Sequence, residues 1–152
     1  MFTSFMTDAL AEAREAAARG EVPVGAVVVT SDGEIIGRGG NQTREHHDIT
    51  QHAEIVALRQ AAQTLGQERL DGCDLYVTLE PCAMCAGAIS HARIRRLYFG
   101  ASDPKSGAVH VGARVFEHAQ SHHKPEVISG LQEEECAEVL KVFFAAQRDL
   151  GR

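Results

Sequence analysis

Strand-length runs of β-branched and aliphatic residues alternate along this chain with stretches of helical periodicity, and that alternation predicts an α/β fold in three layers, α/β/α. One run leads straight into a helix that is followed at once by another run, which implies a parallel pair with a right-handed crossover. Two earlier runs are joined by a tight turn and form a hairpin, so the sheet is mixed. At 152 residues the chain fits a single domain, 1–152, long enough to bury a core.

The first helix is expected over 4–19, where Phe5, Ala9, Ala13 and Ala16 recur at helical spacing before Gly20 stops it. Residues 22–29 are a nearly continuous β-branched run, the pattern of a strand covered on both faces. Ser31, Asp32 and Gly33 signal the turn into a second strand over 34–39. Residues 39–50 are polar and without apolar period, a loop that delivers Asn41 and Asp48 close to the next helix. That helix, 53–65, carries Ile55, Val56, Leu58 and Ala62 toward the core and ends at Gly66. Residues 75–79 form a short buried strand running into Pro81 and Cys82, so the following helix starts at a strand's carboxyl end, where open α/β sheets place their active sites. Residues 89–93 close it, and 97–100 are a further strand. Segment 101–124 is mostly irregular with one helical turn near 112–117, and long loops in compact domains tend to be functional. Val127 and Ile128 make a short last strand. A terminal helix over 131–150 puts Cys136, Val139, Leu140, Phe143 and Phe144 on one face, so packing is the default role of both Phe residues.

Hydrophobic residues are 44% and charged residues 24% of the chain, an ordinary globular balance with no low-complexity tract. The N-terminus lacks a basic region, and Asp8, Glu12 and Arg14 interrupt any apolar run. No signal peptide, membrane span or membrane partner is expected, and the location is cytoplasmic. A net charge of −6 argues against broad, sequence-independent nucleic-acid binding. Between His91 and Pro125, however, Arg93, Arg95, Arg96, Lys105, Arg114 and Lys124 outnumber Asp103 and Glu117, with His110, His118, His122 and His123 among them. Both a local basic patch and a solvated surface loop fit that composition.

The chemistry is concentrated in His52-Ala53-Glu54 and Pro81-Cys82-Ala83-Met84-Cys85. His52, Cys82 and Cys85 are zinc donors one short of the four that a closed structural site needs. In a catalytic zinc site the open position holds a water whose pKa falls to about 7, and a carboxylate such as Glu54 can move its proton. At a loop-to-helix boundary the His can bind metal while Glu54 reaches the water. Pro81 suits helix entry, and the helix dipole favours thiolate. A Cys-x-x-Cys redox pair is one competing reading, but it needs no His-x-Glu upstream. A closed structural site with Cys73, His91 or Cys136 as fourth ligand is another, and it leaves Glu54 without a task. With two of four Cys committed to metal there is no disulfide framework, and Cys73 and Cys136 are small buried hydrophobes.

His-x-Glu followed by Pro-Cys-x-x-Cys is the pattern of zinc-dependent base deaminases. The blocks Glu21-Val22-Pro23-Val24-Gly25-Ala26-Val27, Asn41, Thr78-Leu79-Glu80-Pro81, Phe99-Gly100-Ala101, Asp103-Pro104-Lys105-Ser106-Gly107 and Phe143-Phe144 narrow the resemblance. Over almost its whole length the chain resembles the bacterial tRNA-specific adenosine deaminases of the zinc-dependent cytidine-deaminase-like superfamily. That resemblance implies a cytidine-deaminase-like fold with a mixed five-stranded sheet, one Zn2+ per chain and a homodimer. It further implies conversion of the wobble adenosine of a tRNA anticodon loop to inosine, His52, Cys82 and Cys85 binding the metal and Glu54 shuttling the proton. Asn41 matches the base-contacting Asn, and Asp103, Lys105 and Phe144 match substrate-binding positions near the bound loop. Segment 109–114 departs from the family pattern and inherits no role. A free-base or nucleotide deaminase, such as a guanine deaminase, shares the zinc chemistry and is the rival enzyme. A catalytically silent RNA-binding partner is the rival of another class, and the intact Glu54 speaks against it.

Overall fold

The computed structural model describes residues 2–151. Met1 and Arg152, the ends of the chain on which the N-terminal and domain readings partly rest, lie outside them. The elements run α1 (Met6–Ala18), β1 (Gly25–Val29), β2 (Ile35–Gly40), α2 (Ala53–Leu65), β3 (Asp74–Leu79), α3 (Ala83–Ala92), β4 (Arg96–Ala101), a 3-10 turn at Val115–Glu117, β5 (Glu126–Ser129) and α4 (Glu133–Asp149). The sheet order is β2-β1-β3-β4-β5. β1 is antiparallel to both β2 and β3, whereas β3–β4 and β4–β5 are parallel. The expected hairpin, crossover and mixed five-stranded sheet are all present.

Alternation along β1 sends Ala26 and Val28 into the core under α2 and α3 and Val27 and Val29 into the core under α1 and α4. These two cores on opposite faces are the three layers, and they explain why β1 reads as continuously apolar. The β-branched run becomes a strand only at Gly25, three residues later than its composition suggests. Val24 N–H donates to Val22 C=O at 2.8 Å, so 22–24 make a tight turn before the strand.

Helix α2 has the expected bounds but a different core face. Ala53, Ala57, Leu58 and Ala61 are buried, while Ile55, Val56 and Ala62 are only half-buried. The cause lies on β2, where a side chain at Gly37 would strike the main chain of Ala57 and Ala61. Bare glycine lets the helix settle against the strand, and only alanine-sized residues fit between them. In α1, similarly, Met6 and Leu10 join Ala9, Ala13 and Ala16 in the core, and Phe5 sits at its margin. On α4, Cys136 and Phe143 are buried but Phe144 is 44% exposed, so the packing role holds for the first Phe and not the second. Cys73 and Cys136 are free and buried, as expected. Among the described residues no helix is long and apolar enough to cross a membrane.

Candidate metal centre

Helices α2 and α3 begin close together at the carboxyl end of β3, and His52 and Cys82 occupy their respective cap positions. Both residues are extended, and neither side chain caps its own helix, so imidazole and thiol are left free to face each other. Cys85 follows in the first turn of α3, fully buried. The His52 Nδ1 atom lies 3.6 Å from Cys82 Sγ and 3.5 Å from Cys85 Sγ. Zn–S and Zn–N bonds of about 2.3 and 2.0–2.1 Å at a tetrahedral angle place nitrogen and sulfur about 3.5–3.6 Å apart, so the donor set fits zinc. The three donor atoms all lie within 4.8 Å of one another, and among the described residues no fourth His, Cys, Asp or Glu completes the group. Cys73 sits at the far end of β3, Cys136 lies beneath Gly100, and His91 rests against His122, so none of the three closes the site.

Electrostatics agrees with thiolate ligation. The Cys82 thiol is pushed down to about 4, first by its hydrogen bond with the Cys85 thiol and then, against the cost of burial, by that with His52. Cys85, which keeps the shared proton, is pushed up by that bond and by burial. His52 is pushed up, chiefly by its hydrogen bond with Cys82. Glu54, 4% exposed in the first turn of α2, is pushed up to about 7 by burial. A carboxyl group poised near neutral pH is matched to proton transfer in either direction.

His52, Glu54 and Cys82 form the floor of a cleft of about 260 Å3, into which Val22, Val24 and Leu79 present apolar surface. Asn41 and Asp103 line its sides. Asn41 Oδ1 accepts the Ala53 N–H at 2.9 Å, supplying the cap that His52 does not give α2, and its amide nitrogen has no protein partner among the described residues. Asp103 Oδ1 accepts the N–H groups of Lys105 and Ser106, both at 3.1 Å, and shapes a turn at the rim. Lys105 is exposed on that turn and does not line the cleft. Phe144 is also outside it, on the surface of α4 and edge-on to Phe143. Asp48 bonds Thr50 and Gln51 within its own loop and stays out of the cleft.

Three of the six Arg and Lys residues of the basic cluster are ion-paired. Arg95 grips Asp74 through two bonds of 2.9 and 2.8 Å, Arg96 meets Glu126 at 3.2 Å, and Arg114 meets Glu117 at 3.9 Å. The solvated-face reading accounts for those three.

Two buried glutamates have a role that the motifs alone do not reveal. Glu21, 1% exposed, accepts the N–H groups of Arg44 and Glu45 at 3.2 and 2.8 Å and the Thr43 hydroxyl at 3.5 Å. Glu80, 2% exposed, accepts those of Asp103, Val109 and His110 at 3.1, 3.1 and 2.8 Å. Each fastens one loop beside the cleft. Both stand in blocks that carry the family resemblance, Glu21 at the head of one and Glu80 within another, but the blocks assign neither a role.

Residues 2–101 match the family described as the cytidine and deoxycytidylate deaminase zinc-binding region. A tRNA-specific adenosine deaminase of Agrobacterium fabrum is 61% identical over 96% of this chain and 95% of its own. A solved structure from work on A-to-I editing by tRNA:A34 deaminases at the wobble position superposes with a TM-score of 0.87 at 62% identity, over 90% of this chain and 98% of that one. A guanine deaminase from Bacillus subtilis reaches a TM-score of 0.61 at 42% identity, over 64% of this chain and 62% of that one.

Proposed function

The chain belongs to the tRNA-specific adenosine deaminases, within the family of the cytidine and deoxycytidylate deaminase zinc-binding region, and on that premise we propose that it converts adenosine to inosine at the wobble position of a tRNA anticodon. One observation carries the chemistry: three donors at zinc spacing with a buried, non-ligating Glu54 at the same cleft. His52 Nδ1, Cys82 Sγ and Cys85 Sγ hold one zinc per chain, which when bound supplies a Lewis acid and acidifies a water to a pKa of about 7. The reaction consumes water and adenosine and yields inosine and ammonia.

Glu54 takes one proton of the attacking water and passes it to the purine ring nitrogen, where inosine keeps it, and then carries the second, from the new C6 hydroxyl, to the amino group that departs as ammonia. The free amide nitrogen of Asn41 donates to the base. Val22, Val24 and Leu79 give its faces apolar surface. A cleft this narrow admits a base only after it has left a stack, so a single-stranded loop is the natural target. Asp103 shapes the rim, Lys105 meets phosphate or base beyond it, and Phe144 offers an exposed ring on which a nucleotide of the loop stacks. Activity as a homodimer in the cytoplasm, from a single domain over 1–152, belongs to the same reading.

Zinc-loaded protein incubated with total tRNA should leave inosine at position 34, located by sequencing. Turnover of free guanine or adenine with no inosine in tRNA would replace this reading by the free-base one.

A further inference from the structure

The geometry points to Glu80 as a positioning residue, one that sets the cleft wall against which the substrate is oriented without taking part in metal binding or proton transfer. This rests on the reading of the cleft as the substrate site. Glu80 is the first residue after β3, and its N–H donates to Ala101 C=O at 2.8 Å, which fixes its backbone between the ends of two parallel strands. From there its side chain turns beneath the following loop. Oε1 takes the Asp103 N–H at the loop's start, and Oε2 takes those of Val109 and His110 at its end. Among the described residues no Lys, Arg or His forms an ion pair with it, so three peptide dipoles are its compensation. A carboxylate buried without a cationic partner is expensive, and its hydrogen bonds must offset that cost.

The loop is moulded to the carboxylate. A Cβ at Gly107 would lie 2.5 Å from the Asp103 carbonyl oxygen, 2.6 Å from Glu80 Cδ and 2.7 Å from Oε1, so only a bare glycine lets the turn close over the carboxylate. What the staple holds is functional surface: Asp103 and Ser106, in the turn between its two ends, line the cleft together with Glu80, His52, Glu54 and Cys82. A staple serving stability alone has no need to sit where both it and its cargo face the substrate.

Glu80→Gln separates the two roles. Glutamine keeps the volume and one accepting oxygen, but its amide N–H2 must face a peptide donor, so one end of the loop is released. At full zinc occupancy its kcat on an anticodon stem-loop should fall tenfold or more with a smaller change in KM, because orientation is lost rather than affinity. Asp103→Ala opens the same turn from its other side. The double variant should then be no slower than the slower single variant. A Glu80→Gln protein with one zinc, wild-type kcat and only a lower melting temperature would overturn the proposal, and so would losses that multiply with Asp103→Ala. If Glu80→Gln does not fold, Gly107→Ala, which pushes the loop off the carboxylate, takes its place in the cycle under the same criteria. Failure of the wild-type enzyme to form inosine in the stem-loop counts against the tRNA reading alone. The cycle is then run on whichever free base the wild type deaminates, and non-additivity decides as before.

Discussion

Two loops wall the cleft, and each hangs on one buried glutamate, but they lead to different places. The wall over 41–52 is fastened by Glu21 and runs directly into α2, with Asn41 bonded to the helix's first N–H and Gln42 N–H bonded to Gln51 C=O. Any slackening there reaches His52 in one step. The wall over 102–110 is fastened by Glu80 and does not run on into a metal-binding helix, reaching the Cys82 end only through Ala108 N–H to Pro81 C=O. The first wall is therefore joined to the metal end by the chain itself, and the second by a single hydrogen bond. Similar hardware, a carboxylate gathering backbone N–H groups, serves two ends because of what each loop is joined to.

The largest expected effect belongs to the floor that the walls share. Glu54→Ala should lower the rate by about 10²–10⁴-fold while zinc content stays at one per chain, since in the proposed mechanism the group moves protons and does not ligate. Loss of zinc in that variant would make Glu54 a ligand and erase the distinction between floor and walls. Glu21→Ala comes next. It strands two peptide N–H groups and a hydroxyl, and should cost about 2 kcal/mol of stability together with faster zinc loss to a chelator. Glu80→Gln should lose zinc more slowly than Glu21→Ala, and equal rates of metal loss in the two variants would dissolve the comparison.

Phe144→Ala tests whether the outer rim extends to α4. Stem-loop affinity should fall by about 1–3 kcal/mol if a base stacks there, with little change in melting temperature because the ring is exposed. A variant that melts several degrees lower and binds RNA normally would return Phe144 to the core. Asn41→Ala is the mildest. Removing the cap of α2 should cost about 1 kcal/mol, measurable by denaturant unfolding, and a larger loss of kcat/KM would be the mark of its amide contact with the base.

Legibility in the sequence followed the same division. The floor could be read because a metal demands particular side chains at short, fixed spacing, and His52, Glu54, Cys82 and Cys85 announce it. The layers could be read because periodicity follows burial. Glu21 and Glu80 could not, since their partners are peptide N–H groups more than 20 positions away and a peptide N–H carries no residue type. Phe143 and Phe144 are chemically alike neighbours about 100° apart around a helix, and only packing against the rest of the molecule separates them. On α2, Leu58 is buried and Ala62 packs against the core as its periodicity predicts, whereas Ile55 and Val56 stay half-buried because glycines on the neighbouring strand β2 draw the alanine face inward.

The separation of the donors has a consequence for the unfolded chain. His52 and Cys82 are 30 positions apart, and a single ion held by both ties off the intervening segment, with α2 and β3 inside it. In the chain-entropy account a closure of that length removes about 3.5 kcal/mol of denatured-state freedom at 25 °C, comparable to a disulfide, whereas Cys85 lies so near Cys82 that it adds little. Unlike a disulfide, this cross-link is indifferent to a reducing environment. Its strength follows the concentration of free metal, which makes zinc supply a determinant of how long the folded enzyme lasts.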